Sequence, residues 1–283
     1  MSREGSKAAV GSLAHVGIAA KYNFLNYFRA RRFYVMLAII LIIAGLLTAL
    51  VGYYRPPGFV DGGALGFYGA GWGSFASIVV VLSAAFFGGD AISGEFQNRT
   101  GYFLVPNPIR RSAIYVGKWL AALAASTIIL AVFALAMLAN GLFYFPGNVP
   151  WEFVESFAFA WVYLVAAMSL AFAFSSLFKS SSISVLLSVI LLLFVFSVID
   201  TVSSLVAGIE PWFSLTYGAG IVSNILNVPY PAAKTVTPFG PGGRFTVVSY
   251  NATVPEGLLI LLVYLVVMAV LGLILFERKE FTS

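Results

Sequence analysis

The run Arg31-Arg32-Phe33-Tyr34-Val35-Met36-Leu37-Ala38-Ile39-Ile40-Leu41-Ile42-Ile43-Ala44-Gly45-Leu46-Leu47-Thr48-Ala49-Leu50-Val51 sets two adjacent cations in front of an unbroken uncharged stretch. A helix needs about 20 apolar residues to cross a hydrocarbon core of ~30 Å, so Phe33 to Val51 reads as a membrane span. Five further stretches reach or approach that length: Phe67 to Phe87, Ile114 to Phe145, Phe153 to Phe178, Ile183 to Val206 and Leu258 to Phe276. The third is longer than a span requires, and Lys118 lies one turn inside it. Its start is expected to project from the bilayer or to let the lysine snorkel to the interface.

Composition agrees with that reading. Of 283 residues, 60% are hydrophobic and 10% charged, and the mean hydropathy is +0.96. A soluble domain carries roughly 25% charged residues, because its surface faces water. The expected fold is therefore an all-α membrane protein with six transmembrane helices. The first long apolar run starts only after Arg31-Arg32 and no small-residue cleavage pattern follows it, so it reads as a retained span rather than a signal peptide. Absence of cysteine excludes disulfides, zinc–cysteine sites and thiol catalysis. A formal charge of +5 needs no nucleic-acid partner, because Lys and Arg gather on the cytoplasmic loops of membrane proteins.

The distribution of that charge gives an orientation. With six spans, one side holds residues 1–32, the loop 88–112, the turn 179–182 and the tail 277–283, and together with Lys118 at the start of the third span it carries thirteen of the sixteen basic residues. Arg55, Lys234 and Arg244 lie on the other. The positive-inside rule then places both termini in the cytoplasm and the chain in the plasma membrane. Residues 212–228 are uncharged and almost long enough to span, but they hold Ser214, Thr216, Ser223, Asn224 and Asn227 with Gly218 and Gly220. They read as a re-entrant or interfacial helical segment within an outer connection, 207–257. Beyond it, Pro229, Pro231, Pro238, Pro241, Gly242 and Gly243 predict irregular structure. Asn251-Ala252-Thr253 is a glycosylation sequon on this outer side.

Three local patterns stand out. Residues 11–32 mix Leu13, Val16, Ile18, Phe24, Leu25 and Phe28 with Lys21, Arg29, Arg31 and Arg32, as an amphipathic helix lying in the membrane interface does; a plain basic flank gives the same pattern. His15 stands there without a carboxylate or cysteine cluster, so no metal site is assigned. In the second span Gly66, Gly69, Gly73, Ser77, Ala84 and Gly88 form a small-residue face, where helix backbones approach closely within the chain or across a dimer. Asp200 is the one carboxylate clearly inside a span; ionisable groups at membrane depth mark functional sites by default, and its place near the span's outer end also suits structural pairing or hydration. Ser197, Ser203 and Ser204 lie close to it in sequence for cation coordination.

The stretch richest in chemistry joins the second and third spans: Asp90, Ser93, Gly94, Glu95, Arg99, then Pro108, Arg110, Arg111 and Lys118. Two carboxylates where a span emerges, a short helical segment, a Pro-broken turn and a basic pair suit presentation to a cytoplasmic partner. The pattern Ile92-Ser93-Gly94-Glu95, Pro108-Ile109-Arg110 and Gly117-Lys118 resembles, in order and spacing, the first cytoplasmic loop of type-2 ABC exporter permeases, with Thr100-Gly101 reversing that family's usual Gly-Thr. The likeness extends over essentially the whole chain, from basic entrance helix to the tail Phe276-Glu277-Arg278-Lys279.

The resemblance implies a division of labour. A separate ABC ATPase subunit, holding ATP and Mg, docks on the 90–111 segment and the entrance helix, and a second permease copy or paralogue completes the membrane unit. This chain should not hydrolyse ATP: it has no G-x-x-x-x-G-K-[ST] phosphate loop, since Trp119 follows Gly117-Lys118. A non-transporting membrane anchor or assembly subunit on the same scaffold is the alternative. A membrane enzyme finds little support, because no paired carboxylates, His cluster or nucleophile–base set lies at one depth.

Overall fold

In lipid no water is present to satisfy exposed backbone N–H and C=O groups, so each apolar run must close its hydrogen bonds within itself. The computed structural model describes residues 2–98, 111–239 and 245–278, and follows that demand through six helical crossings. Helix α1 (Ser2–Arg29) stops at Ala30, whose extended backbone (φ −74°, ψ 138°) hinges it to α2 (Arg31–Tyr54), the first span. Arg55 closes α2 in the left-handed region at φ 44°, its N–H bonding the Val51 carbonyl. After the short α3 (Pro57–Val60), the second span runs through α4 (Gly63–Tyr68), a π-helical segment Gly69–Gly73, and α5 (Ser74–Gly88). Helix α6 (Ser93–Gln97) follows, then α7 (Arg111–Tyr144) and α8 (Trp151–Leu177), the third and fourth spans. The fifth comprises α9 (Ser181–Ile190), a π-helical segment Leu191–Val195, α10 (Phe196–Val202) and a second π-helical segment Ser203–Ala207. Helices α11 (Leu215–Ala219) and α12 (Ile221–Asn224), strands β1 (Lys234–Phe239) and β2 (Phe245–Tyr250), and α13 (Val254–Arg278) complete the described chain.

Spans two, three and four form the inner layer. Their most apolar stretches are 67%, 56% and 67% buried, against 22% or less for the first, fifth and sixth. Trp72, fully buried in the π-helical segment of span two, stacks on Phe133 of α7 at 5.7 Å between ring centroids and meets Phe153 of α8 edge-on at 5.5 Å. Leu46, Val198 and Val266 instead point out of the bundle from the peripheral spans. An even number of crossings returns both termini to one end, called here the basic end; the other is the hairpin end.

The segment 212–228 is not a seventh span. It is the pair α11–α12, packed on α8, α10 and α13, with Leu215, Ile221, Val222 and Leu226 buried. Protein therefore covers its broken backbone, and one hydrogen-bond chain ties it in: Trp72 Nε1 donates to Ser156 Oγ at 2.8 Å, and Ser156 Oγ donates to the Val222 carbonyl at 2.5 Å. The expectation of irregular structure after Pro229 needs correcting. Residues 234–239 and 245–250 pair antiparallel, from Lys234 opposite Tyr250 to Phe239 opposite Phe245. In a two-stranded ribbon both strands are edges, so Pro238 is accommodated without breaking a central ladder.

Candidate functional site

The turn after α5 carries the chemistry-bearing residues of the 88–112 loop. Gly89 is required there by space: a Cβ would lie 3.0 Å from the Val185 Cα of α9. Ser175 of α8 accepts two backbone N–H bonds on one hydroxyl, from Ile92 at 2.9 Å and Ser93 at 3.0 Å, while Ser93 Oγ donates to the Gly89 carbonyl at 2.8 Å. These bonds fix where α6 starts. Its far end is held by Gln97, whose Oε1 accepts the Ser181 N–H at 2.8 Å.

Charge then locks the element laterally. Asp90 accepts from Arg32 at the start of the first span and from the Ser181 hydroxyl at the start of the fifth. Glu95 of α6 pairs with Lys118 of α7, whose ammonium also donates to the Ala91 carbonyl at 3.1 Å. Lys118 is only 7% exposed. It reaches back toward α6, because a carboxylate and a carbonyl there replace the water it loses. Removing one partner of such a pair strands the other charge, at a cost of about 3–5 kcal/mol.

Helix α1 lies along α7 beside this cluster. Gly117 permits the contact, since a Cβ at that position would stand 2.6 Å from the Ala19 Cβ and 3.1 Å from the Val16 carbonyl. Tyr27 of α1 donates to the Phe87 carbonyl at 3.2 Å, and burial, reinforced by Glu95, pushes its phenol pKa up, so it remains a neutral donor. On the opposite side of α1, Ile18, Tyr22, Leu25 and Phe28 form an exposed apolar row, the pattern of a helix resting in the interface. Between α1, the turn and α7 lies a polar cavity of about 290 Å³ lined by Asn26, Arg32, Glu95 and Lys118 among others.

The structure thus brings together Asp90, Ser93, Gly94, Glu95 and Lys118. Arg111, at the start of α7, donates instead to the Glu277 carbonyl of α13 at 3.0 Å. Arg99, Pro108 and Arg110 fall outside the described residues. The small-residue face of span two does not meet a single helix. Gly69 and Gly73 face Leu226, Gly66 lies by the Gly58 carbonyl, and Gly88 abuts Met168 and Ala171 of α8; Ala84 is buried and Ser77 half-buried. The π-helical segment at 69–73 shifts the helical phase between the two groups. Ser175, Ser181 and Gln97 were not singled out by sequence reading, and a pair of serines at each side of a span-to-span turn (Ser175-Ser176, Ser180-Ser181) was the available signal.

Asp200 sits at the hairpin end. Thr216 donates to its Oδ2 at 2.6 Å, and Ser214 lies 3.0 Å from the Thr216 hydroxyl. Of the three neighbouring serines, Ser197 bonds the Leu193 carbonyl of its own helix, and Ser204 shares a cavity with Asp200.

Comparison with known proteins places these features. No curated protein matches the chain. The model of the family described as ABC-2 family transporter protein matches residues 17–281, from within α1 to beyond α13. The six crossings, the short helix between the second and third of them and that match make this chain a member of the ABC-2 transporter family, a multi-pass membrane permease.

Proposed function

We propose that this chain is the membrane subunit of an ATP-driven exporter, driven through α6 by a separate ATPase. The observation that carries this reading is the number of spans meeting on one short helix. Asp90 and the turn into α6 engage Arg32 of the first span and Ser175 of the fourth, Glu95 engages Lys118 of the third, and Asp90 with Gln97 engages Ser181 of the fifth. A displacement delivered to α6 is therefore felt by four spans at once, as rigid-body transmission requires. The basic end faces the cytoplasm in this reading, where ATP is found, and ATP with Mg is bound by the partner. Two permeases, identical or paralogous, enclose the path, with the exposed faces of the first, fifth and sixth spans available to lipid and to the second copy. The test is transport-coupled ATPase activity of the reconstituted complex carrying Glu95→Gln. Coupling should fall while membrane insertion and complex assembly persist; unchanged coupling would remove α6 from the mechanism.

A further inference from the structure

The hairpin end contains a cavity of about 370 Å³ that the ATPase-coupling reading does not use. It is bounded by the end of the fifth span, the α11–α12 pair and strand β2. Asp200 and Ser204 line one side, Thr216 and Asn224 another, and Tyr250 closes it from the strand. The wall beside Asp200 is built by the π-helical segment Ser203–Ala207, a distortion that frequently accompanies functional sites. Gly208 ends that segment in the left-handed region at φ 64°, and Tyr250 donates to its carbonyl at 2.5 Å, which holds the hairpin over the opening.

The electrostatics of this cavity are one-sided. The Asp200 carboxylate has Thr216 bonded to Oδ2 and Ser214 close beside it, whereas Oδ1 is buried with no donor in hydrogen-bond geometry among the described residues. No Lys or Arg appears among the described lining residues. Among the described residues of the hairpin end, Asp61, Glu152, Glu155, Asp200, Glu210 and Glu256 outnumber Arg55 and Lys234. A carboxylate oxygen left buried and unbonded is costly, and a positive charge arriving nearby offsets that cost.

We infer that this cavity binds a primary ammonium group. A single carboxylate is a poor match to Ca²⁺ or Mg²⁺, which collect several charged or carbonyl oxygens in a fixed shell. An ammonium needs about three acceptors, and Asp200 and Ser204 on one wall with Asn224 on another supply a carboxylate, a hydroxyl and an amide around the same space. Leu205 and Val247 supply an apolar surface for the carbon attached to the nitrogen. The amine is either a free small molecule or the headgroup of an aminophospholipid, two sources with the same recognition chemistry.

The test is thermal unfolding of the purified full chain in detergent, titrated with ethylammonium chloride against sodium chloride at equal ionic strength. A saturable rise in Tm specific to ethylammonium is expected for the parent. Asp200→Asn should weaken the apparent affinity about tenfold or more, the loss of one charge-assisted hydrogen bond. Ser204→Leu, which fills the space and leaves the carboxylate in place, should abolish the response even if Asp200→Asn does not fold. No specific rise in the parent, or equal rises in the parent and Ser204→Leu, overturns the proposal. The same titration in nanodiscs separates the sources: a response suppressed by phosphatidylethanolamine relative to phosphatidylglycerol identifies the lipid headgroup, and equal responses identify the free amine.

Discussion

Among the described residues of the basic end, the charged groups of the turn meet partners: Asp90 has Arg32 and Ser181, and Glu95 and Lys118 have each other. At the hairpin end Asp200 has Thr216 on one oxygen and, among the described residues, no donor in hydrogen-bond geometry on the other. The first arrangement resists movement, because displacing α6 breaks several charge-assisted bonds to different spans together. The second leaves open volume beside a buried, unbonded carboxylate oxygen, so it gains from something entering. In our proposals the first end transmits force and the second receives a ligand.

That contrast breaks most visibly at the Glu95–Lys118 pair. Glu95→Ala strands an ammonium that is 7% exposed, and we expect a stability loss of about 3 kcal/mol in thermal unfolding. Replacing both partners (Glu95→Leu with Lys118→Met) should recover most of that loss, since apolar pairs substitute well for buried ion pairs, yet coupling to the ATPase should stay impaired. Recovery of coupling along with stability would mean that the pair holds the fold and nothing more. Gly117→Val tests the seating of α1. The added side chain meets Ala19 and the Val16 carbonyl, so we expect about 1–3 kcal/mol of overpacking and faster proteolysis within α1.

At the hairpin end, Ser156→Ala removes the link between Trp72 and the Val222 carbonyl at a cost of about 1–2 kcal/mol. Hydrogen exchange should quicken over 215–226 and stay unchanged over 89–97. Equal quickening at both ends would show that they are not independent. The smallest effect belongs to Arg32→Gln. Its side chain is 55% exposed, so the loss should be under about 1 kcal/mol and should shrink further in high salt.

The spans were legible in the sequence because a helix crossing lipid needs uninterrupted apolar length, and that property survives without knowledge of neighbours. The run from Phe33 to Val51, for example, lies wholly within Arg31–Tyr54. The β-hairpin was obscured by Pro238, Pro241, Gly242 and Gly243, although Thr235-Val236-Thr237 and Thr246-Val247-Val248 carry β-branched residues on either side. The π-helical segments leave no compositional trace, since one extra residue in a turn changes neither length nor hydropathy noticeably. The loop between the second and third spans was recognisable by the order of its Ser, Glu, Pro and Gly-Lys residues. What they bond was not, because Ser175, Ser181 and Lys118 come from other spans and are brought to α6 only by tertiary packing.

The central claim is that α6 is where an ATPase acts on this permease, and the absence of cysteine makes it directly testable. Asn98 is exposed just past α6; Asn98→Cys, carrying a photoactivatable crosslinker in the assembled complex, should give an adduct with the ATPase subunit. Thr235→Cys in the hairpin should give none. An adduct from Thr235→Cys, or none from Asn98→Cys in a complex that retains stoichiometric ATPase, would contradict the account.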